Sequence, residues 1–239
     1  MATRLGNVAV GTVVKIMEYG TPADYVVAQQ GRPNSSINLY DTSCTGTWVM
    51  RVGIYTTTQW SNNTNSENTR VDYSTSTVSG YLNGSFKNGI DIRDHIKTVK
   101  LPYTRLGVDI NGGTGIHYPQ VEYIDGANGM ETQVFLLAKS EMDASYANTS
   151  SHPNLAVFKS FPAYRTGYLN GQPYTEWYRT VSQGSDNWNY VECNLQRYPG
   201  DTSIMYQNPC TNSKIDVRPA FILDPDGLVK ISGIEPLTA

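Results

Sequence analysis

The chain has 239 residues, of which 39% are hydrophobic and only 16% are charged, and its formal net charge at pH 7 is −3. Ordinary domains carry about 25% charged residues, and here 19 Ser, 24 Thr, 19 Asn and 17 Tyr supply the missing polarity. A weakly charged, slightly acidic surface lacks the positive field that captures phosphates, so the composition argues against a nucleic-acid partner. The length allows one large hydrophobic core, which needs no metal or disulfide to hold it together.

Targeting and cysteine patterns narrow the class further. The first residues do not show the basic and then apolar pattern of a Sec-type signal peptide, and no apolar run is long enough to span a bilayer. We therefore expect a soluble protein made in the cytoplasm, without membrane insertion. The cysteines Cys44, Cys193 and Cys210 are odd in number and form no Cys-x-x-Cys pair, which argues against a disulfide framework and a zinc site. A single bridge between Cys193 and Cys210 stays open.

The N-terminal half predicts a hairpin, a strand and two helices. Two β-branched runs within residues 1–30 flank a Gly-Thr-Pro turn, which indicates an N-terminal β-hairpin. Residues 48–52 predict a short strand. Apolar residues spaced as on one helical face predict a helix over 77–86, and a second helix is predicted over 90–100, where acids come early and lysines late.

The C-terminal half predicts more strands. Residues 131–138 indicate a buried strand, followed by a short helix that Ser140 caps and that extends to Ala147. Strands are predicted at 175–181, 188–195 and 215–223, separated by turn-forming residues. A few helices followed by a β-rich, loop-rich last third is typical of the α+β class. No low-complexity linker divides residues 1–239, so we expect a single domain.

The sequence offers little sign of catalysis. The histidines His95, His117 and His152 lie in no recognisable catalytic motif, and neither a Walker loop nor a Gly-x-Ser-x-Gly element occurs. The segment 224–227, Asp-Pro-Asp-Gly, has oxygens that could bind calcium, but it is typical of a tight turn before a last strand. We expect no cofactor, no catalytic residue and no metal site.

The most unusual stretch is 176–213, where tyrosines and tryptophans alternate with Asn, Ser and Asp. Tyr and Trp give large contact area at low entropic cost, and Asn and Ser give adaptable hydrogen bonds, which is the composition of antibody paratopes. Some of these aromatic residues are alternatively core residues of strands. The candidate ligand-binding residues are Tyr178, Asn187, Trp188, Asn189, Tyr190, Tyr198 and Tyr206.

Two elements of the chain resemble a family of domains encoded by phages and bacteria. The segment 176–181, Glu-Trp-Tyr-Arg-Thr-Val, is similar to the family's Trp-Trp-Leu-Arg-Ser-Pro element, and 215–223 is similar to its Gly-Val-Arg-Pro-Ala element. Further landmarks lie upstream, at 9–15, 20–25, 39–41, 81–83 and 134–137. The resemblance implies a C-type-lectin-like fold, similar to the variable proteins that diversity-generating retroelements diversify and more distantly to formylglycine-generating enzymes.

The resemblance divides the last third of the chain into framework and candidate binding region. The residues that match the two elements, Trp177, Arg179, Val217, Arg218 and Pro219, are the expected framework. The chain departs from the pattern at Glu176, Tyr178, Val181 and Asp216. By this resemblance 176–223 is the candidate ligand-binding, variable-type region.

Together these observations favour a non-enzymatic binding protein, expected as a phage tail or receptor-binding component in the virion. The expected partner is a host cell-surface protein or glycan, recognised through the C-terminal face. One alternative is a structural virion or surface protein whose aromatic residues make subunit contacts, as in a homo-oligomer. A formylglycine-generating-enzyme-like oxidase is a further alternative, although Cys193 and Cys210 accompany no motif of such enzymes.

Overall fold

The computed structural model describes residues 3–33, 39–61, 72–106, 121–142, 154–170, 172–174, 176–181, 190–195, 204–209 and 215–229. The strands are β1 (Thr3–Arg4), β2 (Val13–Glu18), β3 (Thr21–Gln30), β4 (Thr47–Arg51), β5 (Thr56–Thr57), β6 (Val99–Leu101), β7 (Tyr103–Leu106), β8 (Val121–Ile124), β9 (Met130–Thr132), β10 (Val134–Phe135), β11 (Gly167–Leu169), β12 (Gln172–Tyr174), β13 (Glu176–Val181), β14 (Tyr190–Leu195), β15 (Ile204–Pro209), β16 (Asp216–Val217), β17 (Ala220–Leu223) and β18 (Leu228–Val229). The helices are α1 (Thr77–Tyr81), α2 (Lys139–Met142) and α3 (Ala156–Ser160), and a π-helical turn, Leu82–Phe86, follows α1 directly. Single 3-10 turns occupy Leu5–Asn7, Thr42–Cys44, Tyr73–Thr75, Arg93–His95, Gly126–Asn128 and Pro162–Arg165.

The fold is α+β, as the sequence predicts, and its central element is a five-stranded antiparallel sheet in the order β10-β17-β4-β3-β2. The inner strands β4 and β17 are buried almost throughout and consist largely of apolar residues, which pack on both faces of the sheet. Trp48 lies edge-on to Phe135 at a centroid distance of 5.5 Å, and Tyr25 packs against Phe221 at 5.3 Å. Separately, β1 pairs with β18, so the first and last described strands are neighbours.

The predicted N-terminal hairpin is confirmed. Strands β2 and β3 pair in continuous antiparallel register from Val13 opposite Val26 to Glu18 opposite Thr21. The two residues between the strands, Tyr19 and Gly20, have φ values of 48° and 80°. Positive φ at both positions is what a two-residue type I′ hairpin turn requires, and it matches the right-handed twist of the strands.

The helix predicted over 77–86 is confirmed as α1 and the π-helical turn after it. Ser76 caps α1, because its hydroxyl accepts from the Ser79 N–H at 3.1 Å. Three of the residues predicted for the apolar face, Val78, Leu82 and Phe86, are fully or almost fully buried. The fourth, Tyr81, packs against the same core while partly exposed.

The helix predicted over 90–100 is wrong. Instead, Ile90 pairs with Glu18 and Ile96 with Leu223, residues 93–95 form one 3-10 turn, and Val99 begins β6, opposite Thr132 in β9. The spacing of Ile92, Ile96 and Val99 fits a helical face, but Ile96 is buried in a bridge, Val99 is buried in β6, and Ile92 lies partly buried in a turn. Tertiary pairing here overrides a weak local preference for helix.

The segment 131–147 differs from the prediction in its details. The buried strand is interrupted at Gln133 and forms β9 and β10, which belong to different sheets. The following helix begins at Lys139, and the residue that closes its first turn is Glu141, whose Oε2 accepts from the Ala138 N–H at 2.7 Å. Ser140 lies inside the helix and is not its cap, while residues 143–147 lie outside the described residues.

Candidate functional site

A second five-stranded sheet contains the aromatic region, in the order β15-β14-β13-β16-β5. Strands β13, β14 and β15 form an antiparallel meander, and β13 joins β16 in parallel through Glu176 opposite Asp216. On the far side β16 pairs with β5, where Val217 lies opposite Thr56. The predicted strands 175–181 and 188–195 are thus confirmed over 176–181 and 190–195, while 175, 188 and 189 lie outside the described residues, and 215–223 is divided between β16 and β17.

The register of the meander separates two of the predicted contact residues. Tyr206 lies opposite Cys193, which lies opposite Trp177, so these three positions form one cross-strand row. Tyr190 lies opposite Pro209, three positions from Cys193 along β14. Because successive positions of a strand alternate between faces, positions 190 and 206 belong to opposite faces of the sheet. A single flat contact surface therefore includes at most one of them.

Of the remaining predicted contact residues, one lies in β13 and the others lie outside the described residues. Tyr178 lies in β13 within the stretch between Trp177 and Val181 where the register with β14 shifts. The framework residues Trp177 and Arg179 belong to the same strand. The other four contact residues, Asn187, Trp188, Asn189 and Tyr198, lie outside the described residues, as does Cys210, the second member of the bridge left open above.

The framework residues of the second element have an observed structural role. Val217, Arg218 and Pro219 are buried at the passage from β16 to β17. The Tyr55 N–H donates to the Val217 carbonyl and the Arg51 N–H donates to the Pro219 carbonyl, both at 2.9 Å. The passage is therefore fixed to the segment 51–55 on one side by main-chain hydrogen bonds.

Arg218 fixes the other side of the same passage. Its side chain is only 3% exposed, and its two terminal nitrogens donate to the carbonyl oxygens of Tyr164, at 2.7 Å, and Arg165, at 3.2 Å. Gly167, two residues further on, packs so closely on Ile54 that a Cβ there would lie 2.4 Å from the isoleucine Cδ1. Arg218 thus holds the chain where it enters β11 and, after β12, the meander.

A buried ionic group that the sequence did not predict lies at the end of the hairpin. The Glu18 carboxylate accepts from the Arg51 Nε at 2.9 Å and from the Tyr25 hydroxyl, and Arg51 also donates to the Ile54 carbonyl. Burial, and after it the Glu18 charge, raise the pKa of Tyr25 well above its ordinary value. The alternation of β2 places Glu18 on the inner face, where a carboxylate needs a partner. An acid at an inward position of the predicted hairpin was therefore the sequence signal for this ionic group.

A second buried acid, Glu141, was also missed. It is fully buried, and its Oε1 accepts from the Tyr40 hydroxyl while its main-chain carbonyl accepts from the Leu155 N–H at 2.8 Å. These contacts join the loop before β4, helix α2 and the start of α3. Glu141 therefore holds three segments together: its side chain binds Tyr40 and the Ala138 N–H at the start of α2, and its main-chain carbonyl binds the Leu155 N–H.

The described residues hold few groups suited to catalysis. Across the described ranges, no group of three or more His, Cys, Asp or Glu side chains is placed to hold a metal ion. His95 is exposed on its 3-10 turn, and His117 and His152 lie outside the described residues. The segment 224–227 is a tight turn as predicted, in which Asp224 accepts from the N–H groups of Asp226 and Gly227 at 3.0 Å. In the part of the chain that the structure describes, no helix has the length and apolarity to cross a membrane.

Comparisons with known proteins give one result. The model of DUF6273, a domain of unknown function, matches residues 45–225, which is well over half of the chain. Neither a curated protein nor a solved structure matches the chain significantly.

Proposed function

We propose that this chain, which belongs to the DUF6273 family, is a non-enzymatic ligand-binding protein that recognises a host cell-surface protein or glycan. The observation that carries the proposal is the attachment of an aromatic and amide-rich meander, β13-β14-β15, to a buried framework. Rigid scaffolds that present variable, Tyr- and Asn-rich segments are the usual design of recognition proteins. We place the protein in a phage tail or another receptor-binding component of a virion.

The C-type-lectin-like fold, and with it the likeness to retroelement-diversified variable proteins, belongs to the same proposal. Two features support it. The first and last described strands, β1 and β18, pair with each other. The late strand β17 returns to the main sheet beside β4, after the chain has left that sheet to form the meander. In such an arrangement, the meander that the chain forms between its passages through the main sheet is the part that can vary without disturbing the core.

Connectivity of the meander narrows the proposed contact surface. Val181 and Tyr190 lie at one end of β13 and β14, because they are nearly opposite each other, and Leu195 and Ile204 lie at the other end. Residues 187–189 directly precede Tyr190 in the chain, whereas Tyr198 lies between Leu195 and Ile204. We therefore assign the contact to the Val181 end, with Trp188 and Tyr190 as its main residues.

Cell binding by a double variant tests this assignment. Aromatic residues at the centre of an interface commonly contribute about 2 kcal/mol or more, roughly a thirtyfold change in affinity. We expect Trp188→Ala with Tyr190→Ala to weaken binding of the purified protein to host cells by at least that factor. The matched control is Tyr198→Ala, which removes a tyrosine from the other end and should leave binding within about threefold of the parent.

Two results would contradict the proposal. Unchanged cell binding by the folded double variant, judged by its thermal unfolding, would show that the Val181 end does not carry recognition. A stable oligomer in light scattering, from which the double variant dissociates to monomers, would assign the same residues to subunit contacts and favour a structural role.

A further inference from the structure

An exposed aromatic ring lies at the turn between β2 and β3, apart from the region 176–223. Tyr19 is 63% exposed, and among the residues whose burial the structure describes it is the one large hydrophobic side chain that is exposed. Its φ of 48° lies in the left-handed region, where Gly, Asn or Asp is usual and a bulky residue is an outlier. Outliers of this kind concentrate at binding sites.

The ring is held in one orientation from below. It lies directly over Gly89, where a Cβ atom would come within 2.1 Å of the Tyr19 Cε2. The Tyr19 hydroxyl donates to the Ser85 carbonyl, and its main-chain N–H donates to the Gly89 carbonyl at 2.7 Å. The ring is therefore fixed before any ligand arrives, which lowers the entropic cost of stacking on it.

Exposed polar residues lie on the two segments that this contact joins, the β2–β3 turn and residues 85–89. Thr21 follows the turn, and Ser85 and Asn88 lie on the segment that Tyr19 contacts at Ser85 and Gly89. All three of these residues are exposed. Tyr55 and Tyr81 lie half-buried, with ring centroids 6.3 Å apart and planes inclined by 33°. Burial is the main cause that raises the pKa of Tyr55, followed by the Tyr81 hydroxyl, and Tyr19 contributes to the same potential.

We propose that Tyr19 and its polar border form a carbohydrate subsite that stacks one neutral pyranose ring. A protein partner needs roughly 800 Å² of surface on each side, whereas the apolar surface exposed here is that of one aromatic ring. A pyranose has the matching size, an apolar C–H face for stacking and a rim of hydroxyls for hydrogen bonds to Ser85, Asn88 and Thr21. The subsite is independent of the C-terminal contact surface proposed above.

Fluorine NMR of protein labelled with 3-fluorotyrosine tests the proposal. The Tyr19 signal is assigned by its absence from the Tyr19→Phe variant. We expect chitotetraose, cellotetraose or maltotetraose to shift this signal saturably, and calorimetry to give the dissociation constant. If none of the three oligosaccharides shifts the signal, or if only tetramethylammonium shifts it, the carbohydrate assignment is overturned.

Variants separate stacking from a merely structural role of the ring. Tyr19→Ala should weaken oligosaccharide binding at least tenfold, and Tyr19→Phe should keep it within about threefold because the stacking face remains. Gly89→Ala should also weaken binding, since the added methyl displaces the ring. The matched control is Gly80→Ala, because a Cβ there meets nothing within 4 Å. Wild-type affinity in a folded Tyr19→Ala variant would refute the subsite. An unchanged oligosaccharide-induced shift of the Tyr19 signal in Gly89→Ala would refute it as well.

Discussion

The side-chain amide of Asn83 connects two parts of the core that are distant in sequence. Its Oδ1 accepts from the N–H groups of Gln133 and Val134, at 2.9 and 3.0 Å, and its Nδ2 donates to the carbonyls of Ser79 and Val134. The Thr132 hydroxyl adds a further contact at 3.0 Å. These bonds satisfy the main chain at the break between β9 and β10, which is why the π-helical turn presents an Asn there. In the sequence, the same Asn-Gly pair is typical of a turn.

We predict that Asn83→Ala lowers the free energy of unfolding by about 2–3 kcal/mol, because several main-chain groups lose their partners without access to water. Urea unfolding followed by tryptophan fluorescence measures the change. Asn88→Ala is the matched control, since this asparagine is exposed five residues further along the same segment, and it should change the free energy by less than about 0.5 kcal/mol. Equal effects of the two variants would show that the Asn83 amide is not a structural connection.

At the level of strands and helices, the local sequence pattern predicts some elements correctly, while tertiary pairing decides others. The β2–β3 hairpin, β4 and α1 followed from the sequence because their periodicity and turn residues agree with their burial. The segment 90–100 did not, since Ile90, Ile96 and Val99 pair with Glu18, Leu223 and Thr132, all of them far away in the chain. Strand β15 was not predicted either, because Gln207, Asn208 and Pro209 are unusual strand residues.

The candidate site was predictable only as a region. Composition and resemblance selected 176–223, but the face on which each residue lies depends on register. The shift between Trp177 and Val181 and the pairing of Tyr190 with Pro209 decide it, and neither leaves a local signal. Of the proposed framework residues, Val217, Arg218 and Pro219 are buried and hydrogen-bonded at the passage between the two sheets.

The junction between these elements depends on Arg218, and its geometry makes a prediction. Arg218→Lys keeps the charge but replaces a fork that reaches the carbonyls of Tyr164 and Arg165 by a single ammonium group. We expect a loss of about 2 kcal/mol in the free energy of unfolding, as for one hydrogen bond to a charged group. Urea unfolding measures it, with Arg93→Lys as the control, because the Arg93 side chain is half-exposed. Parent-like stability of Arg218→Lys would mean that charge alone holds the junction.

On the scale of the whole molecule, the residues that match the family do not include all the strands of the main sheet. The family match begins at residue 45, yet β2 and β3 precede it and form two of the five strands of the main sheet. β3 pairs with β4 along its length and contributes Tyr25, Val26 and Val27, all fully buried. Without this hairpin, β4 would be an exposed apolar edge.

We therefore predict that the fragment 45–225 does not fold by itself. Removing 1–44 deletes two of the five strands of the main sheet and exposes the edge of β4. Since a domain is stable by only roughly 5–15 kcal/mol, we expect this loss to unfold the fragment. Near-UV circular dichroism and amide dispersion in NMR should show no native packing in the fragment, whereas the chain of 239 residues shows both. Adding a synthetic peptide of residues 1–44 should restore the native spectrum, because the hairpin pairs with β4 only through non-covalent contacts. A fragment that packs natively without the peptide would show that the family segment is an autonomous domain and that the hairpin is an accessory to it.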